Sequence, residues 1–206
     1  MIVIVDYGLG NPRSILNMLN RVGAEAKISA EPSDLAAADK LVLPGVGAFD
    51  AGIRNLEERG LRRALIRQVM QEGTPILGIC LGMHLMTRGS EEGLLPGLGW
   101  LDAEVARFSN DNGGAKLAVP HMGWCRLRLH RPDPLVADFD EAPRFYFAHS
   151  FHLRAAADCQ VWASALHGAE FPCAMRLDHI VGLQFHPEKS HRYGMALLRA
   201  FAEEEG

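Results

Sequence analysis

Cys80 stands in the run Gly78-Ile79-Cys80-Leu81-Gly82, directly after the apolar stretch Pro75-Ile76-Leu77 and before a segment of helical character. A glycine two residues to either side of a nucleophile suits a sharp strand-to-helix turn. One glycine is expected to take the strained backbone angle, and the other to let the helix pack against the sheet. The thiol is then expected to stand exposed at the positive end of a helix, where backbone N–H groups favour its thiolate. About a hundred residues further on, the chain reads Gln184-Phe185-His186-Pro187-Glu188. His186 is placed to take the thiol proton. Glu188, held by the fixed φ of Pro187, is placed to accept from the far ring nitrogen and set its tautomer. The run Leu43-Pro44-Gly45-Val46-Gly47 adds two glycines that let backbone N–H groups approach a tetrahedral oxyanion closely. A nucleophile, a base, an orienter and an oxyanion site together specify thiol-dependent acyl transfer.

Each of these segments has an ordinary reading when taken singly. A cysteine after a strand is commonly a small buried hydrophobe. A His–Glu pair on a surface contributes almost nothing, and a Pro-Gly-x-Gly run can be a tight turn. Their coincidence at expected strand ends carries the catalytic reading, because sites in open parallel sheets lie beyond the carboxyl ends of the strands.

The elements that must position these residues alternate through the first half. Residues 1–5, 24–28, 39–43 and 75–79 read as strands. Residues 11–22 read as a helix with Ile15, Leu16, Leu19 and Val22 on one face, closed by Gly23. Residues 50–72 read as a helical stretch broken near Gly60. Such alternation predicts parallel pairing with right-handed crossovers. The second half differs: over 99–129 and 144–185, short β-type runs are separated by Gly, Pro, Asp and Asn. The expected fold is a three-layer α/β sandwich with a central, mostly parallel twisted sheet and an antiparallel or mixed extension. A closing helix is expected over 193–204, with Met195, Leu197, Leu198 and Phe201 turned to the core. Asn110-Asp111-Asn112-Gly113-Gly114 is the expected flexible loop. No repeat or linker interrupts the chain, so 1–206 reads as one domain.

Composition bounds the function. The 206 residues are 48% apolar and 22% charged, as in ordinary globular proteins, and a net charge of -4 leaves no footprint for nucleic acid. No stretch reaches the roughly 20 apolar residues needed to span a bilayer. The opening Met1-Ile2-Val3-Ile4-Val5-Asp6 turns polar too soon for a secretory signal. Cys80, Cys125, Cys159 and Cys173 form no Cys-x-x-Cys pair, which argues against zinc and for a reducing, cytoplasmic setting. His149 and His152, three apart on a strand, face opposite sides and do not suggest a shared metal. His121 in Pro120-His121-Met122-Gly123-Trp124 reads equally as a recognition loop or a packed turn. Glu91-Glu92 reads as a solvated helix end, although a carboxylate near the site would suit the ammonium of an amino-acid substrate.

The runs Gly78-Ile79-Cys80-Leu81-Gly82-Met83, His186-Pro187-Glu188 and Pro44-Gly45-Val46-Gly47 together resemble class I (triad) glutamine amidotransferases. Pro120 to Trp124, Tyr146-Phe147-Ala148-His149-Ser150 and Gln184 to Ser190 are similar to one branch, the glutaminase subunits of imidazole glycerol phosphate synthases. The resemblance runs from Asp6-Tyr7-Gly8-Leu9-Gly10-Asn11 to the final helix. It implies hydrolysis of L-glutamine to glutamate and ammonia, and the sequence itself offers no metal or organic cofactor site. It also implies a heterodimer with a (βα)₈-barrel cyclase, which receives the ammonia for histidine biosynthesis. Cys80 would be the nucleophile, His186 the general base and acid, and Glu188 its orienter. Gly45, Val46, Gly47 and the N–H of Leu81 would form the oxyanion region, which would switch by peptide reorientation when the partner binds its acceptor. His84, Glu92, His149, Ser150 and Phe151 match substrate-contact positions. Trp124, Tyr146 and Lys189 match the subunit interface.

Two residues depart from the family pattern: His84 stands where glutamine is usual, and Cys125 where asparagine is. A histidine titrates near neutrality, so glutamine affinity is expected to vary with pH. Segments 15–19 and 189–195 also resemble paralogous subunits that feed nucleotide-sugar amidotransferases of surface-polysaccharide synthesis. Two further readings use the same fold: a thiol hydrolase or peptidase, and a non-catalytic regulatory subunit.

Overall fold

The computed structural model describes residues 1–109, 111–112, 115–139, 142–155 and 160–204. The first half runs β1 (Ile2–Val5), α1 (Pro12–Arg21), β2 (Ala26–Ser29), α2 (Pro32–Ala36), β3 (Lys40–Leu43), α3 (Phe49–Glu58), α4 (Leu61–Ile66), β4 (Ile76–Ile79) and α5 (Leu81–Met86). The second half adds β5 (Ala103–Arg107), β6 (Asp111–Asn112), β7 (Ala115–Lys116), β8 (His121–Arg126), β9 (Arg128–Leu129), β10 (Arg144–His149) and β11 (Phe151–Ala155). It closes with β12 (Val161–His167), β13 (Ala169–Leu177), β14 (Ile180–Leu183) and α6 (His191–Glu203).

The main sheet is ordered β2-β1-β3-β4-β14-β13-β12-β9. Its first five strands are parallel and the last three antiparallel. Three separate two-stranded ribbons, β10–β8, β11–β5 and β6–β7, cover the rest of the second half. The parallel strands read as unbroken apolar runs because both faces are covered. Ile2, Ile4, Val42, Leu77 and Ile79 enter one core with Ile15 and Leu19 of α1 and Leu197, Leu198 and Phe201 of α6. Val3, Val5, Leu41, Leu43 and Ile76 enter the other, with residues of α3, α4 and α5. The period of two along each strand thus builds three layers.

Local chemistry sets the element ends. Asn11 caps α1 by accepting from the Ser14 N–H at 3.3 Å, with Pro12 in the first turn. The expected break in residues 50–72 falls at Gly60, whose φ of +70° ends α3 and begins α4. Past α4 the helix does not stay α-helical: residues 67–71 form a π-helical turn. α6 begins two residues before the expected position, and Met195 is only half-buried; Tyr193 and Gly194 take up its face of the core. Residues 110, 113 and 114 of the expected loop and Cys159 lie outside the described residues. Among the described residues no helix is long and apolar enough to cross a membrane.

Candidate active site

The segments that follow β3 and β4 open on a cleft of about 230 Å³, closed on its other side by residues of the β8–β10 ribbon and the start of β11. Cys80 follows β4 directly, and its N–H donates to the Leu183 carbonyl at 2.7 Å across the neighbouring parallel strand β14. At Cys80 the chain turns with φ 51° and ψ -108° before entering α5. A side-chain-bearing residue rarely adopts this region, and the packing around it must hold it there. The strained angle is therefore on Cys80 itself and not on a flanking glycine. Both glycines serve close approach instead. A Cβ at Gly78 would meet Met86 Sδ at 2.7 Å, and one at Gly82 would meet the Leu43 carbonyl oxygen at 1.8 Å. Nor does the thiol stand exposed: Cys80 is 7% accessible and forms the floor of the cleft.

His186 follows β14, one strand over. Its Nδ1–H donates to Glu188 Oε1 at 2.8 Å, and Cys80 lies close enough to the ring to favour its protonated form. Both His186 and Glu188 are buried behind the cleft wall. Burial opposes a charge on His186, but the hydrogen bonds and charges of Cys80 and Glu188 outweigh it and push the imidazole up to about 9. The turn that carries the pair is pinned from two sides. The His186 N–H donates to the Tyr146 carbonyl at 2.9 Å, and Ser190 Oγ donates to the His186 carbonyl at 2.6 Å while accepting from the Tyr146 N–H at 3.0 Å. From below, α6 approaches so closely that a Cβ on Gly194 would lie 1.8 Å from the Pro187 carbonyl oxygen.

Val46, Gly47, Cys80, Leu81, His84, Glu92, His149, Ser150 and Phe151 all line this cleft. Gly45 sits just behind, where the Leu81 N–H donates to its carbonyl at 3.4 Å. Glu92 is at the lip, in a turn after α5 and not at a helix end. Its Oε2 accepts from the Phe49 N–H at 3.1 Å, and partial burial raises its carboxyl. His84 is buried, and its Nε2 meets Gln184 Oε1 at 2.9 Å. Burial is the main cause that pushes it down to about 4. It is therefore neutral between pH 6 and 8, which removes the reason to expect a pH-dependent glutamine affinity. Cys125 lies opposite Phe145 on β8 and does not line the cleft.

Trp124 and Tyr146 are cross-strand neighbours on the β8–β10 ribbon beside the cleft. Trp124, 44% exposed, stacks on His191 with ring centroids 5.7 Å apart, and Lys189 lies over the Tyr146 ring at 5.9 Å. Met122 and Val46 extend this surface as exposed apolar side chains at the cleft mouth.

Four site features have no counterpart in the roles read from the sequence. Tyr7, after β1, donates from its hydroxyl to the Pro44 carbonyl at 2.6 Å beneath the Gly45 loop. Pro120 and Ala148 complete the cleft wall. Gln184 donates from Nε2 to Cys80 Sγ at 3.8 Å. His121 is neither a surface loop nor a turn: it opens β8, is buried, and donates from Nδ1 to His149 Nε2 at 3.2 Å. His149 in turn donates from Nδ1 to the Phe151 carbonyl at 2.7 Å. Only Gln184 left a legible signal, since it precedes His186 by two in an extended segment and so shares its side.

The family model for class-I glutamine amidotransferases matches residues 3–204. The chain belongs to that family. It is 45% identical over 203 residues to an imidazole glycerol phosphate synthase subunit HisH 2 of Pseudomonas aeruginosa, covering 98% of this chain and 99% of that one. The protein of the same name from Methanococcus maripaludis is 45% identical over 204 residues, covering 99% and 100%. Among solved structures, a glutamine amidotransferase superposes with a TM-score of 0.69 at 23% identity, covering 96% of this chain and 99% of that one. The glutaminase domain of Trypanosoma brucei CTPS gives a TM-score of 0.68 at 16% identity, covering 100% and 94%. These two likenesses concern the fold.

Proposed function

We propose that this chain is the glutaminase subunit of an imidazole glycerol phosphate synthase, hydrolysing L-glutamine and passing ammonia to a (βα)₈-barrel cyclase. The chemistry rests on one observation: Cys80 lines the cleft, and behind it His186, just past β14, holds Glu188 through its Nδ1–H. The Cys80 thiolate attacks the carboxamide carbon, forming the S–C bond and placing negative charge on the oxygen. The His186 imidazolium gives its proton to the departing nitrogen as the C–N bond breaks. Water then adds to the thioester, leaving its proton on His186, and the C–S bond breaks to release glutamate. Glu188 holds the ring through both steps. The Glu92 carboxylate at the lip suits the α-ammonium of the substrate. Because a reducing setting is what keeps Cys80 a thiol, we place the protein in the cytoplasm.

The hole for the oxyanion is occupied by protein. The Leu81 N–H, which would stabilise the charge, is bonded to the Gly45 carbonyl. Rotation of the Gly45–Val46 peptide would free that donor and turn another N–H toward the site, at small cost next to glycine. Val46, 51% exposed at the cleft mouth, is where a docked partner would act on this peptide. The design has a physical reason. Ammonia becomes ammonium in neutral water and loses its nucleophilicity, so the product must leave into a protein-lined path beneath the Trp124–Tyr146–Lys189 surface. The near-full-length likeness to subunits of this synthase supports the barrel partner over a nucleotide-sugar enzyme, and the intact triad disfavours a purely regulatory role.

The test uses the complex with its barrel partner. Cys80→Ala is expected to abolish glutamine-dependent synthesis while ammonia-dependent synthesis persists. A Cys80→Ala complex that still used glutamine would overturn the reading. Isolated wild-type chain that hydrolysed glutamine as fast as the acceptor-bound complex would overturn the peptide switch.

A further inference from the structure

We propose that Gln184 stabilises the Cys80 thiolate directly and that His84 is the positioning residue that fixes which end of the Gln184 amide faces the sulfur. The proposal rests on the glutaminase reading, since it concerns the nucleophile of that reaction. Three buried side chains form one line from α5 to the strand end: His84 Nε2 lies 2.9 Å from Gln184 Oε1, and Gln184 Nε2 lies 3.8 Å from Cys80 Sγ. Gln184 is fully buried and His84 nearly so, which leaves the amide two places to direct its polar atoms.

The orientation follows from chemistry. An amide presents two N–H donors at one end and a carbonyl acceptor at the other. With the carbonyl toward Cys80, a partial negative charge would face a thiolate in a water-poor site, which is unfavourable. With the NH₂ toward Cys80, the thiolate gains a charge-assisted hydrogen bond. The carbonyl is then left to His84, whose Nε2 must carry the proton. Burial keeps the ring neutral, so that single proton makes Nε2 a donor. His84 thus works as a latch against amide rotation, and its contact to Gln184 accounts for a histidine in this buried position.

The other titratable groups around the line are few. His186 lies beside Cys80 just after β14, and the Tyr7 hydroxyl, on the turn after β1 and bonded to the Pro44 carbonyl, is kept protonated by burial and by the charge of Cys80. His149 and His152 face His84 from the other ribbons, and burial holds both down, hence neutral. None of these changes the direction in which the amide must point.

The measurement is the rate of Cys80 alkylation by iodoacetamide in the full chain, followed by peptide mapping across pH, with L-glutamine protection as a second readout. Gln184→Met is expected to slow alkylation at neutral pH about tenfold, with the loss disappearing at high pH, where the thiol ionises unaided. Glutamine protection is expected to be unchanged. His84→Leu is expected to slow alkylation about threefold, and His84→Gln to restore it by supplying an N–H donor to the same carbonyl. Wild-type rates in Gln184→Met, or a loss that persists at high pH, would overturn the proposal. Should Gln184→Met not fold, the His84 pair decides: equal rates for His84→Leu and His84→Gln overturn it. Failure of the glutaminase reading looks different, because glutamine would then not protect Cys80 even in the wild type.

Discussion

At the amino ends of the strands, Lys40 donates from Nζ to the carbonyls of Phe201, Ala202 and Glu204, capping the last turn of α6. Beside it, Arg176 reaches Asp133 with two bonds of 2.7 and 3.0 Å and Glu204 with another of 3.0 Å. At the carboxyl ends, Cys80 holds a positive φ, the Leu81 N–H is spent on the Gly45 carbonyl, and Glu188 Oε2 is buried with no hydrogen-bond partner among the described residues. One end satisfies its buried charges with short, redundant bonds and ties α6 to the sheet. The other keeps strain and incompletely used polar groups near the thiol. Stability and reactivity are thus separated by the length of a strand, so the strained end can be held in place by packing that it does not itself supply.

Substitutions at each end test this division. The largest effect is expected from Arg176→Leu, which strands the buried Asp133 carboxylate without its cation. A loss of about 3 kcal/mol in denaturant unfolding is expected, with glutamine protection of Cys80 unaffected in the folded protein. Loss of that protection would show that the two ends are not independent.

Glu188→Gln should act in the opposite manner, with little change in stability and a change in pH dependence. The Glu188 carboxylate helps hold His186 up to about 9, so the wild-type imidazolium keeps its proton until the pH rises through that value. A neutral amide keeps the contact and removes the charge. The imidazolium then deprotonates earlier, and the alkaline limb of glutamine hydrolysis by the complex moves down by about one pH unit. An unmoved limb would assign it to another group. The smallest effect concerns His84: with the ring neutral throughout, KM for glutamine is expected to be flat from pH 6 to 8. A KM that rises or falls as histidine titrates would show that His84 is hydrated in the working enzyme.

The parallel half is readable from its residues because its strands are buried on both faces and its helices carry a period that one core stripe demands. The antiparallel half is readable only as a class of structure: ribbon pairing such as Tyr146 with Trp124 depends on contacts far along the chain. At the site, Cys80, His186 and Glu188 are legible as candidates because the proposed thiol chemistry needs those residue types beside glycine and proline. The strain at Cys80 is misassigned to a neighbour, since Gly78 and Gly82 advertise conformational freedom that the fold uses for close packing. The neutrality of His84 and the pairing of His121 with His149 are not legible. Both come from burial and from partners 100 and 28 residues away.

Because β4 and β14 are hydrogen-bonded neighbours, with Ile79 in register with Leu183, the sulfur and the imidazole are spaced by the rung of a ladder and not by the chain that joins them. The number of residues between the two strands therefore does not set that spacing, and what the intervening chain adds to it is the Tyr146 backbone that pins the turn carrying His186. The same ladder resists adjustment: a mutation that sought to bring the two groups closer would have to break the sheet.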